Sequence, residues 1–215
     1  TTASHHSVAA TVLNDGAIAL AYNEGGSAIE YRVIDATTGA TLGYTARAGS
    51  TINPKSQADI QALADGGFAL SWTDRDITDG GDRVHVQAFN ADGSTYGRAP
   101  EYVFPKGTAG IDAHTSSDSA IVALPDGKFM VVTSDSGGNF GEQAGDLDRY
   151  AVGTQVFNSA GSAIGSYNNA IQTNTAGQIF DVHAGLADNG LVVLTYSYKY
   201  SVSDFDVIGV AVAQN

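Results

Sequence analysis

Residues 61–72, QALADGGFALSW, decide the fold, because two readings of them lead to different proteins. A glycine pair after an acid and before an apolar run is the outline of a phosphate-cradling loop that opens a helix. It is equally the outline of a tight turn between two strands. Recurrence separates the readings: LNDGAIALAY starts at Leu13, LADGGFALSW at Leu63, LPDGKFMVVT at Leu124 and LADNGLVVLTY at Leu186. A phosphate loop occurs once, whereas a motif that returns four times and launches an alternating apolar run each time belongs to a repeat unit. Asp65 and Gly66 are then turn residues suited to positive φ, and Phe68, Leu70 and Trp72 form one face of a strand.

A second motif follows the first three copies, as YRVIDATTGATLG from Tyr31, VQAFNADGSTYG from Val86 and TQVFNSAGSAIG from Thr154. Asn or Asp followed shortly by Gly between apolar runs is again a hairpin signal. Each unit thus reads as four strands, a to d, in an up-and-down meander with two-residue a–b turns. One such unit cannot bury its own apolar face, so units must pack on one another, and their lengths suit propeller blades better than solenoid coils. The expected fold is all-β: a small β-propeller-like array of four up-and-down antiparallel units, the last lacking its outer strand. The units fall at about 5–55, 56–110, 111–177 and 178–215 of a single domain spanning 1–215. DVIGVAVAQN supplies strand c of the fourth unit, while TTASHHSV aligns with the linker before strand a. Three accounts fit the missing strand: excision from a longer array, a three-stranded last blade, or a strand donated by a partner.

Composition agrees and excludes several classes. The chain holds 26 Gly and 4 Pro in 215 residues, which favours short strands with tight turns. It has no Cys, which removes disulfide frameworks, thiolate metal sites and cysteine nucleophiles. With 23 Asp and Glu against 10 Lys and Arg, the formal charge of −13 repels nucleic acid and anionic membranes and suits cations, above all Ca²⁺. No apolar run is long enough to span a membrane, and the first residues lack the features of a signal peptide.

ALADGGFALSW followed by VHVQAFNADGSTYG resembles the tandem repeat units of large secreted bacterial RTX (hemolysin-type calcium-binding) surface proteins. The resemblance is closest over Gln61 to Gly97 and looser in the other units. It implies a secreted or cell-surface, calcium-rich setting and export by a type I route, and brings no settled activity. The family nonapeptide G-G-x-G-x-D is absent; DGGDRVHV departs from it.

In a meander the b–c loops share one rim, and here that rim is acidic. NEGGSA (23–28), TDRDITDGGDR (73–83), SDSGGNFGEQAGDLDRY (134–150) and SYKYSVSDFD (197–206) carry 11 of the 23 acids. Crowded carboxylates raise one another's pKa unless a cation joins them, and Ca²⁺ accepts six to eight oxygen ligands. Asp74, Asp76, Asp79, Asp82, Asp146, Asp148, Asp204 and Asp206 are the candidate metal ligands; the plainer alternative is that loop acids are simply solvated. Asp146 with Asp148, and Asp204 with Asp206, stand two apart just before strand c, so each pair can point to one side. DRDITDGGD misses the EF-hand spacing, since its third acid is one place late and His85 stands where the last ligand would be.

Tyr196, Tyr198 and Tyr200 alternate on strand b, and Tyr22 and Trp72 hold the Tyr196 position in their units, where large rings fill the space between blades. Tyr198 and Tyr200 lie nearer the acidic loops, so they, with Asp135 and Glu142, are the candidate ligand-binding residues for a sugar face. Of the five His, His5, His6, His85, His114 and His183, none has a metal-binding spacing. His183 with Asp181 is the best general-base pair, without an identifiable nucleophile. No Walker A, G-x-S-x-G or dinucleotide fingerprint occurs. The expectation is a secreted or cell-surface binding or adhesion module with an acidic, Ca²⁺-binding loop face that recognises carbohydrate or a surface protein. Two alternatives stand beside it: an assembly subunit that self-associates or joins neighbouring repeats through its incomplete fourth unit, and a polysaccharide lyase or hydrolase.

Overall fold

The computed structural model describes residues 5–24, 28–48, 55–75, 82–96, 99–103, 115–136, 150–173, 178–201 and 204–213. Strands fall in chain order into four antiparallel sheets. The first holds His5–Val12 (β1), Ile18–Glu24 (β2), Ala28–Ile34 (β3) and Thr41–Ala48 (β4). Lys55–Ala62 (β5), Phe68–Arg75 (β6), Asp82–Phe89 (β7) and the two-residue Glu101–Tyr102 (β8) form the second. Thr115–Ala123 (β9), Phe129–Ser136 (β10), Tyr150–Phe157 (β11) and Ala163–Thr173 (β12) form the third. The fourth has three strands, Gln178–Leu186 (β13), Val192–Ser201 (β14) and Asp204–Val212 (β15), in simple meander order.

The turn at Asp65 and Gly66 is one residue longer than expected. Leu63 N donates to Gly67 O at 2.9 Å and Gly66 N to Leu63 O at 3.1 Å, so residues 64–66 form a three-residue hairpin loop. Only Gly66 has positive φ, at 95°. Asp65 acts through its side chain instead, its Oδ1 accepting from the Gly67 N–H at 3.1 Å. Gly67 is required for a different reason: a Cβ there would lie 2.2 Å from the Phe89 carbonyl oxygen. The same carboxyl or amide bracing recurs at Asp15, Asp126 and Asn189. In the fourth unit the bonds run from Ala187 to Leu191, so Ala187, not Leu186, takes the position of Leu13, Leu63 and Leu124.

The sheets stack face to face, with their first strands innermost in the order β1, β5, β9, β13. Ala19, Ala21, Ile29, Tyr31 and Val33 of the first sheet meet Ile60, Phe68, Leu70 and Trp72 of the second. Ala69, Val84 and Val86 of the second meet Ile121, Phe129, Val131 and Phe157 of the third. Val122, Met130, Val132 and Val152 of the third meet Val182, Val192, Leu194, Tyr196 and Tyr198 of the fourth. β6 is therefore buried on both faces, and its Phe68 ring stacks on Phe89 at 5.0 Å. Radially stacked up-and-down sheets with the first strand innermost make a β-propeller array of four blades.

Strand boundaries differ from expectation at several places, of which three bear on the site. His5 to Val8 belong to β1 rather than to a linker. β6 and β7 extend into the expected 73–83 loop, taking Asp74 and Asp82 into strands. β14 and β15 close to a short hairpin, so Asp204 and Asp206 lie inside strand c, where Asp206 pairs with Tyr198. Alternating Tyr, Phe and Val residues on both sides favour the pleated conformation and extend the ladder.

Gly67→Ala is expected to cost about 1–3 kcal/mol through its clash with the Phe89 carbonyl, and Gly66→Ala about 1–2 kcal/mol through its φ. Denaturant unfolding checks both, and an unchanged midpoint for Gly67→Ala would show that the hairpin can shift to admit a methyl group.

Candidate functional site

An inner strand has a partner on one edge only, so its other edge and the side chains near it face the axis. Each of the four inner strands breaks register near its start: between His6 and Val8, Ser56 and Asp59, Ser116 and Ser119, and Phe180 and His183. These bulges bend the strand and re-aim side chains. Two of them place Gln57 and Asp181 at φ 46° and 53°, the non-glycine residues of positive φ among those described. Such conformations cost on the order of 1 kcal/mol each and are held by their surroundings.

Between β5, β9 and β13 the bulges enclose a cavity of about 390 Å³. Its polar lining includes Gln57, Asp59, Gln61, Asp118, Asp181 and His183, and no Phe, Tyr or Trp ring among the described residues lines it. The carboxylates are fixed by the neighbouring blades. Asp118 Oδ2 accepts from Asp181 N at 2.9 Å, and its Oδ1 accepts from the Gln57 amide. Asp59 Oδ2 accepts from Ile121 N at 2.8 Å. Burial pushes the Asp59 carboxyl above its ordinary value, while the Ile121 and Ile60 N–H groups and the His183 charge pull it back in part. The cavity therefore presents a carboxyl whose charged form burial disfavours, beside amides, an imidazole and two further carboxyl groups. That combination can hydrogen-bond a polyhydroxylated ligand and hand over a proton.

The acidic rim gives less. Asp76, Asp79, Glu142, Asp146 and Asp148 lie outside the described residues, as does His114; Asp135 and Tyr200 lie in β10 and β14, with side chains outside the description. Asp74 is buried, with His85 Nε2 3.7 Å from its Oδ2, and His85 stacks on Trp72. Asp204 and Asp206 are exposed on β15, and Asp82 is half-buried at the start of β7. Among the described residues no group of three or more His, Asp or Glu side chains is placed to hold a metal ion. Tyr198 is buried in the cluster that joins the third and fourth blades, so its ring packs between blades instead of offering a face to a sugar. Trp72 and Tyr196 also pack between blades, but Tyr22 lies on the outer face of the first sheet, its hydroxyl donating to Glu30.

Asp181 and His183 were the one pair in the cavity that the sequence singled out. Gln57, Asp59, Gln61 and Asp118 were missed, although a signal existed. Ser7, Gln57, Asp118 and Asp181 each stand nine residues before their turn glycine, at the bulge, and all are polar. Aligning on the structural turn, with Ala187 at the Leu position, brings that column into view.

No protein-family model matches the chain, and no curated protein does. Solved structures resemble it in fold. An α-L-arabinanase from Penicillium chrysogenum, complexed with arabinobiose, superposes with a TM-score of 0.65 at 12% identity, over 96% of this chain and 62% of that one. An α-L-arabinofuranosidase from Fusarium graminearum, bound to an iminosugar inhibitor, gives 0.64 at 11%, over 95% and 61%. An endo-arabinase from Bacteroides thetaiotaomicron gives 0.54 at 14%, over 96% and 74%. The chain thus spans about three-fifths of the length of the first two, and at these identities the likeness is one of fold.

The raised Asp59 carboxyl makes a pH prediction. Its folded form prefers the proton, so its contribution to stability is full below the ordinary value of 3.8 and is lost as pH rises through the elevated folded value. Asp59→Asn keeps an oxygen for the Ile121 N–H without the charge. Its melting temperature is expected to exceed the wild type's by a few degrees at pH 8, with the gap closing as pH falls below 4. A variant less stable than wild type at pH 8 would mean that the charged carboxylate is the form the fold prefers.

Proposed function

We propose that this protein is a glycan-binding β-propeller module that takes one end or one unit of a neutral or amino sugar chain in the axial cavity. The observation that carries the reading is the cavity itself. Its volume falls within the roughly 300–1,000 Å³ common for small-molecule sites, and its polar side chains converge from three blades. With no Phe, Tyr or Trp among the described lining residues, recognition runs through hydrogen bonds from sugar hydroxyls to Asp59, Asp181, Gln57, Gln61 and His183 rather than through aromatic stacking. The carboxyl groups and the overall charge of −13 disfavour uronates and sulfated sugars. The solved structures of like fold add support, since one holds arabinobiose and another an iminosugar. The secreted or surface setting rests on the repeat resemblance.

Hydrolysis is the second reading, and the presence of Asp59 and Asp181 in one cavity favours it, because glycoside hydrolysis uses two carboxyl groups flanking the bond. Asp181 would serve as the second carboxylate. A binding module and a hydrolase differ in one measurement: reducing ends released from arabinan, and their loss in Asp59→Asn.

Glycan-array screening followed by calorimetry with arabinobiose and its neutral and amino counterparts tests the main reading. Asp181→Gly, which suits the φ of 53° there, combined with His183→Ala is expected to weaken binding at least tenfold while the melting curve stays close to wild type. Absence of any neutral or amino sugar ligand on the array, or undiminished binding by the double variant, would remove the cavity as the site. Repeating the titration in calcium and in chelator tests whether the segments 76–81 and 137–149 contribute a metal-dependent part.

A further inference from the structure

Two glutamines line the axial cavity, and both commit an amide N–H to the protein. Gln57 Nε2 donates to Asp118 Oδ1, and Gln61 Nε2 donates to the Ala62 carbonyl at 3.3 Å. Neither partner can donate in return, because an ionised carboxylate and a carbonyl oxygen only accept. Each amide is therefore fixed in one of its two orientations, with its own carbonyl oxygen turned away from that partner. For Gln57 the constraint is the tighter one, since Asp118 is itself pinned by its other oxygen, which accepts the Asp181 N–H at 2.9 Å. The lining thus sets amide oxygens beside the carboxyl groups of Asp59 and Asp181, and no Lys or Arg is among its described residues.

A site lined in this way discriminates by counting donors. A hydroxyl group donates once and has lone pairs that need a donor, which this lining supplies sparingly. A protonated primary amine donates three times, accepts nothing and carries the charge that complements carboxylates. We infer that the cavity selects an amino sugar over its neutral counterpart, with Gln57 as the specificity-determining residue and Asp118 as the positioning residue that aims the Gln57 carbonyl oxygen. The inference rests on the axial cavity being the sugar site, and adds which sugar that site prefers.

Calorimetric titration with the glucosamine disaccharide, its di-N-acetyl form and cellobiose tests it, because the three share one backbone and carry an ammonium, an acetamide or a hydroxyl group at C2. Wild type is expected to bind the ammonium form about tenfold tighter than either of the others, on the order of one charge-assisted hydrogen bond. Gln57→Met keeps the Asp118 charge but removes the amide oxygen. Asp118→Asn still accepts the Asp181 N–H but offers Gln57 an amide N–H, so that the Gln57 amide turns round. Each is expected to abolish most of the margin while cellobiose binding and the melting curve stay close to wild type. Gln57→Glu combined with Asp118→Asn rebuilds the hydrogen bond in the opposite sense and returns an acceptor to the cavity, so the margin is expected to recover, which a merely structural role for Asp118 would not produce. Equal affinity of wild type for all three probes overturns the inference and leaves the cavity as the sugar site. So does a margin that survives Gln57→Met, since charge alone then sets it, and a margin that the exchanged pair fails to restore removes Asp118 as the positioning residue. If none of the three binds while the array finds another neutral sugar, the specificity falls alone; if no sugar binds at all, it falls together with the site.

Discussion

Everything in this molecule depends on a sheet that is apolar on both faces. An antiparallel sheet can leave one face to water, but β6 alternates Phe68, Leu70 and Trp72 with Ala69 and Ser71, and all five are buried. Such a sheet is stable only between two others. Burying one Phe or Leu is worth about 1.5–3 kcal/mol, whereas a well-formed turn contributes on the order of 1 kcal/mol, so the stacking of blades outweighs the hairpins that build them. The hairpins contribute register: a slip of one residue would exchange the face meant for the preceding blade with that meant for the following one.

Stacking flat faces would leave the blades able to slide, and the inner edges prevent it. Each successive pair of inner strands is joined by a side-chain oxygen of the earlier blade that accepts a backbone N–H of the later one. Thr11 accepts from Ala62 at 3.2 Å, Asp59 from Ile121 at 2.8 Å and Asp118 from Asp181 at 2.9 Å. The N–H groups concerned lie on strands with no ladder partner on that side, where an unmet donor carries a penalty. A shared need of unpaired edges thus brings carboxyl groups to the axis, and bulges keep them from being sealed over.

How much of this could be read from the sequence follows from the range of each interaction. The four hairpins were legible because turn chemistry and alternation are local: Asp65, Gly66 and Phe68 carry their meaning within a few residues. Inter-blade packing of Trp72 and Tyr196 followed from the repeat, which turns a distant contact into a periodic one. The cavity was legible only as a polar column at the bulges, because Gln57, Asp59 and Asp118 meet Asp181 and His183 only after three blades have stacked. The eye is drawn instead to acid density, which led to the rim. Tyr198 failed for a related reason: alternation gives its face, but whether that face meets solvent or the third blade is set by strand length, and β14 runs further than the loop composition suggested. Tyr22 failed at the opposite end, since no sheet among the described residues covers that face of the first blade.

The residues that hold the blades together and those that line the cavity overlap, and this divides their roles. Asp118 has both oxygens engaged, by Asp181 N and by the Gln57 amide, so a ligand that recruited it would have to displace a bond between the third and fourth blades. Asp59 meets the Ile121 N–H through Oδ2 and the Ile60 N–H as well, whereas the side chains of Asp181 and His183 take no part in these staples. A ligand in the cavity is therefore read by Asp59, Asp181 and His183, with Asp118 acting as the frame that fixes Gln57 and the Asp181 backbone. Because those readers sit on the second and fourth blades, a ligand that bridges them binds the docked arrangement in preference to any in which the blades have parted. By mass action it then stabilises the array as well as occupying it.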